Sequence, residues 1–116
     1  MSSTASRRLT VKNKLGIALV AMMAATTLTA VAQNAGEATY KAKCQMCHGA
    51  DGSGNTPAGK AMKAMPLTSP AIVKESDADL IAVTKSGKGK MPAYAGKLSD
   101  GQIKEVVAYI RTLEKK

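Results

Sequence analysis

The stretch Cys44-Gln45-Met46-Cys47-His48 decides the fold of this chain. In a helix, residues three and four apart lie on one face, so the side chains of Cys44, Cys47 and His48 point in the same direction. Two thiols and an imidazole placed side by side can reach the edge and the centre of one flat molecule. The spacing therefore predicts that these three side chains share a single ligand.

Cys-x-x-Cys-His is the attachment pattern of a c-type haem, in which both thiols bond to the porphyrin and the imidazole binds its iron. The alternatives are a redox dithiol, half of a zinc site and a pair of buried thiols. A redox Cys-x-x-Cys is typical of a βαβ setting, which the sequence does not indicate. A structural zinc site needs four ligands, and the chain has two Cys and one His in all. The pattern predicts one covalently bound haem c.

Residues 1–32 have the features of an export signal that is removed. Four basic residues and no acid open the chain: Arg7, Arg8, Lys12 and Lys14. The run 15–28 is then almost wholly apolar, and Ala30-Val31-Ala32 is a suitable cleavage site. We expect residues 33–116 to be the mature haem domain, without a permanent membrane anchor, in the periplasm. The alternatives are the thylakoid lumen, or an uncleaved segment tethering the domain, although three threonines weaken the stretch as a membrane span.

The mature part has too few large apolar side chains to form a substantial core alone. The chain contains no Phe, no Trp and three Tyr. Domains of this size usually need a disulfide, a metal or another cross-link to be stable. A covalently held porphyrin would fill the interior.

The patterning predicts an all-α domain, since no stretch alternates like a strand. A first helix should enter at 33–37, run through the haem motif and end near Gly49, and a short one should span 58–65. Three further helices should begin at hydroxyl caps, of which the last carries an apolar stripe. Those caps are Ser69, Ser76 and Ser99, and Gly87 should end the second of these helices.

The second axial ligand of the iron can be sought among the remaining side chains. His48 is the only histidine, so two histidines cannot ligate one iron within this chain. Met46 lies on the His48 helix and cannot reach the other face of the ring, and Met62 and Met65 have the spacing of core-filling residues. Met91 follows His48 by 43 residues, between Gly-Lys and Pro. We expect Met91 to be the ligand, with lysine or water as the alternatives.

With these residues the mature chain resembles the class I c-type cytochromes, the small monohaem electron carriers of bacterial and photosynthetic electron-transport chains. Gly36 and Tyr40 resemble their N-terminal helix, Val106 and Tyr109 the C-terminal helix that crosses it, and residues 89–94 the loop with the distal methionine. The resemblance implies a small cytochrome c fold, with three to five helices around one haem.

The resemblance also implies a function and a supporting residue. When protein side chains occupy both axial positions, no site is open to substrate, so electron transfer is expected and catalysis is not. A peroxidase-like haem enzyme or a gas sensor remains the alternative, and each needs an open position or a labile Met91. Pro57 resembles a proline of the family that lies near the haem motif. Its backbone carbonyl is the candidate acceptor for the N–H of the His48 imidazole. Pro57 as a simple turn residue and Pro66 as a rival remain open.

The distribution of charged residues indicates which kind of partner the chain could bind. Residues 33–116 contain thirteen of the seventeen basic residues and all eight acids, for a net charge of +5. The stretch 80–99 holds four lysines and no acid: Lys85, Lys88, Lys90 and Lys97. Such lysines could steer an acidic redox partner, or they could simply form a solvated surface. Scattered basic residues without interleaved aromatics do not indicate nucleic-acid binding.

Overall fold

The computed structural model describes residues 31–116. Residues 32–116 form one compact unit. The predicted signal, 1–32, falls almost entirely outside the described residues, and its cleavage stays a prediction. Six helical segments occur within the described part. They are α1 (31–43), α2 (Gln45–His48), α3 (Pro57–Met62), α4 (Pro70–Val73), α5 (Asp77–Ser86) and α6 (Asp100–Leu113).

The prediction of an all-α cytochrome c fold is confirmed. Residues 31–116 contain no strand, and only two isolated bridges occur, Lys88 with Met91 and Ala95 with Leu98. The six segments exceed the three to five helices expected because the first helix breaks in two and α4 is a single turn. No helix in this part of the chain is long and apolar enough to cross a membrane.

The helix through the haem motif breaks at Cys44, which separates α1 from α2. The amides of both Cys47 and His48 donate to the Cys44 carbonyl, at 3.2 and 3.0 Å. Gly49 ends α2 with a φ of 80°, which a residue without a Cβ adopts freely. The buried Tyr40 hydroxyl donates to the Gly49 carbonyl at 2.6 Å, so α1 fixes the end of the helix that contains His48.

The predicted crossing of the N- and C-terminal helices is present between α1 and α6. A Cβ at Gly36 would collide with the Glu105 carbonyl and lie 3.2 Å from the Tyr109 Cβ. The Tyr40 and Tyr109 rings pack at a centroid distance of 5.3 Å. Tyr40 and Val106 belong to one buried apolar cluster. A residue without a side chain at 36 thus allows the two backbones to touch.

The predicted caps Ser69, Ser76 and Ser99 each precede a helix, but the Ser69 hydroxyl is buried and makes no capping hydrogen bond. Ser76 and Ser99 each form a capping box, with Asp79 and Gln102 as the reciprocal side chains. Pro70 occupies the first turn of α4, and Gly87 ends α5 as predicted. The short helix expected at 58–65 is instead α3, which ends earlier because Lys63 adopts the left-handed conformation with a φ of 55°.

Candidate haem-binding site

A cavity of about 780 Å³ lies in the unit formed by residues 32–116. Its size falls in the range of roughly 300–1,000 Å³ that cofactor and ligand sites occupy. Four of the predicted site residues line it together: Cys44, Cys47, His48 and Met91. They come from two segments that are more than forty residues apart in sequence. The fold therefore brings the proposed attachment residues and the proposed distal ligand to one apolar space.

The α2 segment is held in place by its neighbour α3. The Thr56 hydroxyl donates to the carbonyls of Met46 and Cys47, at 2.7 and 3.1 Å, and accepts from the Gly59 amide. A Cβ at Gly59 would collide with the Cys47 carbonyl. One hydroxyl thus caps the start of α3 and satisfies carbonyls at the end of α2, which fixes the helix that contains His48.

Burial sets the protonation of the site. It raises the pKa of the Cys44 thiol to about 11, with a smaller contribution from Cys47, so this thiol is neutral at pH 7. Cys44 and Cys47 are free and half-buried. Burial also lowers the pKa of His48, which keeps the imidazole in the neutral form that binds metals.

The outer nitrogen of His48 shows how the ring would be oriented. Its Nδ1 is buried and makes no hydrogen bond to any described residue. Burial lowers the pKa of His48, and the backbone of Met65 raises it by a smaller amount. A metal-bound histidine normally donates its second N–H to such an acceptor.

Pro57 makes no hydrogen bond to this nitrogen. It lies at the first turn of α3, is exposed and does not line the cavity. The backbone of Met65, which precedes the rival Pro66, raises the pKa of His48 and is the candidate acceptor. The Pro66 carbonyl itself accepts from the Ser69 amide at 3.1 Å. The sequence interpretation missed Met65 because a backbone carbonyl has no signature in the residue types.

Met91 lies in a short turn beyond α5. The Lys88 amide donates to the Met91 carbonyl at 3.2 Å, and the Met91 amide donates to the Lys88 carbonyl at 3.0 Å. Gly87 permits this turn, since it has a φ of 74° and a Cβ there would lie 2.7 Å from the Met91 carbonyl. The turn is thus closed on itself, and the half-buried Met91 side chain lines the cavity.

Three other methionines are more exposed. Met46 is 76% exposed and does not line the cavity, in agreement with its rejection as a ligand. Met62 and Met65 do line it, with exposed fractions of 43% and 53%. Because they line the same cavity as Met91, they remain rivals that an experiment must separate from it.

The lysines near the site differ from the predicted set. Lys85 forms an ion pair with Asp100 at 2.9 Å, and Lys97 lies 5.7 Å from the centroid of the Tyr94 ring. Four exposed lysines line the cavity and so lie at its rim: Lys43, Lys63, Lys88 and Lys90. Two acids, Glu75 and Asp79, also line it. The sequence interpretation missed Lys43 and Lys63 because α1 and α3 meet the Met91 turn only in the folded chain.

The residues present fit a haem. Two free thiols and a neutral imidazole share one apolar cavity, the outer imidazole nitrogen needs an acceptor, and a thioether from a distant segment lines the same space. The fold and this set of side chains define a helical c-type cytochrome.

Comparisons with known proteins place the chain more closely. The family model described as cytochrome C oxidase, cbb3-type, subunit III matches residues 31–110. A cytochrome c6 of Leptolyngbya boryana is 40% identical over 76 residues, which are 66% of this chain and 86% of that protein. A cytochrome c6 of Thermosynechococcus vestitus is 36% identical over 97 residues, which are 83% of this chain and 82% of that protein. The match to the cbb3-type cytochrome c oxidase subunit CcoP of Azospirillum brasilense, 31% over 86 residues, covers 72% of this chain but 29% of that subunit.

The chain belongs to the family of small c-type cytochromes that includes the cytochromes c6. It binds covalent haem c, and it is an electron-transfer protein rather than an enzyme. The resemblance stated from the sequence is therefore confirmed.

Proposed function

We propose that the chain moves single electrons between redox complexes, with its haem attached through Cys44 and Cys47 and ligated by His48 and Met91. One observation supports this assignment above all: the four side chains line the same cavity, although Met91 is far from the others in sequence.

The haem supplies a ferric–ferrous couple, and the chain sets how readily it is reduced. A soft thioether favours the ferrous state, so the Met91 sulfur raises the reduction potential. The apolar cavity acts in the same direction, because the ferric state brings an additional positive charge into a poorly polar site. When the haem is bound, the Met65 backbone is the candidate acceptor for the His48 N–H, and a hydrogen bond there would orient the ring and strengthen it as a ligand. If His48 and Met91 both bind the iron, no coordination position would be open to a substrate.

Partners should approach the rim of the cavity. The exposed lysines there are Lys43, Lys63, Lys88 and Lys90, so an acidic surface on a redox complex would be attracted. Lys85 contributes less, since its charge is offset by Asp100. The signal predicted at 1–32 supports export to the periplasm, where membrane redox complexes would be accessible.

The optical spectrum of the purified ferric protein tests the ligation. We expect a low-spin spectrum with a methionine-to-iron charge-transfer band, which Met91→Ala abolishes while the haem stays covalently attached. Met62→Ala and Met65→Ala are the matched controls, because both side chains line the same cavity. Loss of the band in either control, with Met91→Ala unchanged, would move the ligand. A high-spin wild-type spectrum would favour a haem enzyme or a gas sensor instead.

A further inference from the structure

The Tyr94 side chain joins the Met91 turn to the helix that precedes the haem motif. Its hydroxyl donates to the Lys43 carbonyl at 3.0 Å, across 51 positions of sequence. Lys43 is the last residue of α1, directly before the break at Cys44. In an unbroken helix this carbonyl would accept from the Cys47 amide, but that amide donates to Cys44 instead. The phenol therefore satisfies a carbonyl that the break leaves without its helical partner.

The backbone around Tyr94 is fixed at a second place. The Tyr94 amide donates to the Thr84 carbonyl at 3.0 Å, and the Ala95 amide donates to the Lys85 carbonyl at 3.1 Å. Both carbonyls lie in the last turn of α5, where intrahelical donors run out. Tyr94 thus connects three segments: the last turn of α5, the chain that leaves the Met91 turn and the end of α1.

The distance from Tyr94 to Met91 is short along the chain. Two residues separate them, and one is Pro92, whose ring fixes φ and reduces the freedom of the connection. Tyr94 is half-buried and lines the same cavity as Met91. A constraint on Tyr94 is therefore passed to Met91 through a stiff and short segment.

We propose that Tyr94 is a positioning residue, whose hydrogen bond to the Lys43 carbonyl keeps the Met91 thioether in place as a ligand. This inference rests on the proposed Met91 ligation. The hydroxyl acts on how often the turn opens, because opening must break the bond between Tyr94 and the end of α1. Packing of the Tyr94 ring is a separate contribution, which a phenylalanine at this position retains.

The bond lies at the surface, so water can replace the phenol at the Lys43 carbonyl, and the effect should be moderate. In Tyr94→Phe we expect the Met91 turn to open about two to five times more often, as the loss of one exposed neutral hydrogen bond implies. An external ligand that enters only when the thioether leaves should then bind faster by the same factor.

Imidazole binding to the ferric holoprotein, followed by stopped-flow absorbance at saturating imidazole, measures this opening. Tyr94→Phe should show the two- to fivefold rise. The matched control is Tyr109→Phe, the same chemical change at the α1–α6 crossing and outside the cavity lining. It should leave the rate unchanged.

A rate in Tyr94→Phe equal to that of the wild type, or an equal rise in Tyr109→Phe, would overturn the role of Tyr94. Failure of the Met91 ligation is seen separately, because the wild-type ferric spectrum would then lack its methionine-to-iron band. The thermal midpoint of both variants completes the test: faster imidazole binding with an unchanged midpoint is local opening, and a parallel fall in the midpoint would reduce Tyr94 to a structural residue.

Discussion

Replacing Gly36 tests the close contact between α1 and α6. A Cβ at this position would collide with the backbone carbonyl of Glu105, which cannot turn aside as a side chain would. Overpacking of this kind costs about 1–3 kcal/mol of unfolding free energy. The higher helix propensity of alanine returns roughly 0.5–1 kcal/mol of that cost. Gly36→Ala should therefore be destabilised slightly to moderately, and Gly36→Val more strongly.

Gly101 provides the control for helix propensity. It lies in the first turn of α6, and the nearest atom to a Cβ there, the Ser99 hydroxyl, would be 3.8 Å away. Gly101→Ala should gain about 0.5–1 kcal/mol from propensity alone. The difference between the two alanine variants then isolates the clash at Gly36.

The assay is thermal unfolding of the ferric holoprotein, followed by far-ultraviolet circular dichroism. For a domain of this size, 1 kcal/mol shifts the midpoint by about 4–8 °C. Gly36→Ala should melt below the wild type and Gly101→Ala at or above it. Equal midpoints for the two alanine variants would refute the close contact between the helices.

Three further predictions concern the surroundings of the haem. Tyr40→Phe should lose about 1–3 kcal/mol in denaturant unfolding at pH 7, since the buried Gly49 carbonyl loses its donor. Burial also raises the pKa of Tyr40, so its contribution is fully present below pH 10 and declines above it, a decline that the variant lacks. Thr56→Val should cost about 1–2 kcal/mol in the same assay, because the cap of α3 is lost. Lys63→Gln with Lys88→Gln should weaken the dependence of the bimolecular electron-transfer rate on ionic strength.

The outcomes that would contradict these predictions are specific. A Tyr40→Phe protein as stable as the wild type would show that water replaces the phenol at Gly49. Thr56→Ser keeps the hydroxyl and should restore most of the stability lost in Thr56→Val. Lys104→Gln, an exposed lysine that does not line the cavity, is the charge control. An equal change of salt dependence in Lys104→Gln would remove the docking role of the rim.

The helix boundaries were predictable where the determining residues lie within one turn. Ser99 and Gln102 cap each other across three positions, and Ser76 and Asp79 do the same. Pro70 likewise marks the start of α4, because proline is favoured in the first turn of a helix. Capping chemistry is therefore visible in the residue types where a complete capping box is present, but Ser69 precedes α4 without making a capping bond.

Contacts between distant segments were not predictable in the same way. The break at Cys44 and the left-handed Lys63 have no local signal, since neither residue is a usual helix breaker. Arg111 forms an ion pair with Asp77 at 2.8 Å and a hydrogen bond to the Glu75 carbonyl, from more than thirty positions away. Lys85 was expected at a basic surface, but folding brings Asp100 beside it.

The site residues also divide into those that the local sequence predicts and those that only the fold brings together. The haem motif has a fixed spacing, and Met91 stood out because a Gly and a Pro flank its turn, so these residues could be named before the fold was seen. The candidate acceptor for His48 could not be named, because the backbone of Met65 is placed near the imidazole by the fold and has no signature in the residue types. Pro57 had the residue type expected of the family but lies elsewhere.

The reduction potential of Met91→Ala, measured by equilibrium titration of the holoprotein beside Met62→Ala and Met65→Ala, tests the central claim most directly. Axial ligation sets haem potentials over a range of about 0.8 V, so losing a soft ligand should lower the potential by on the order of 0.1 V or more. The two control variants should stay within a small fraction of that change. An unchanged potential in Met91→Ala, or an equal fall in either control, would contradict an electron carrier tuned by His48 and Met91.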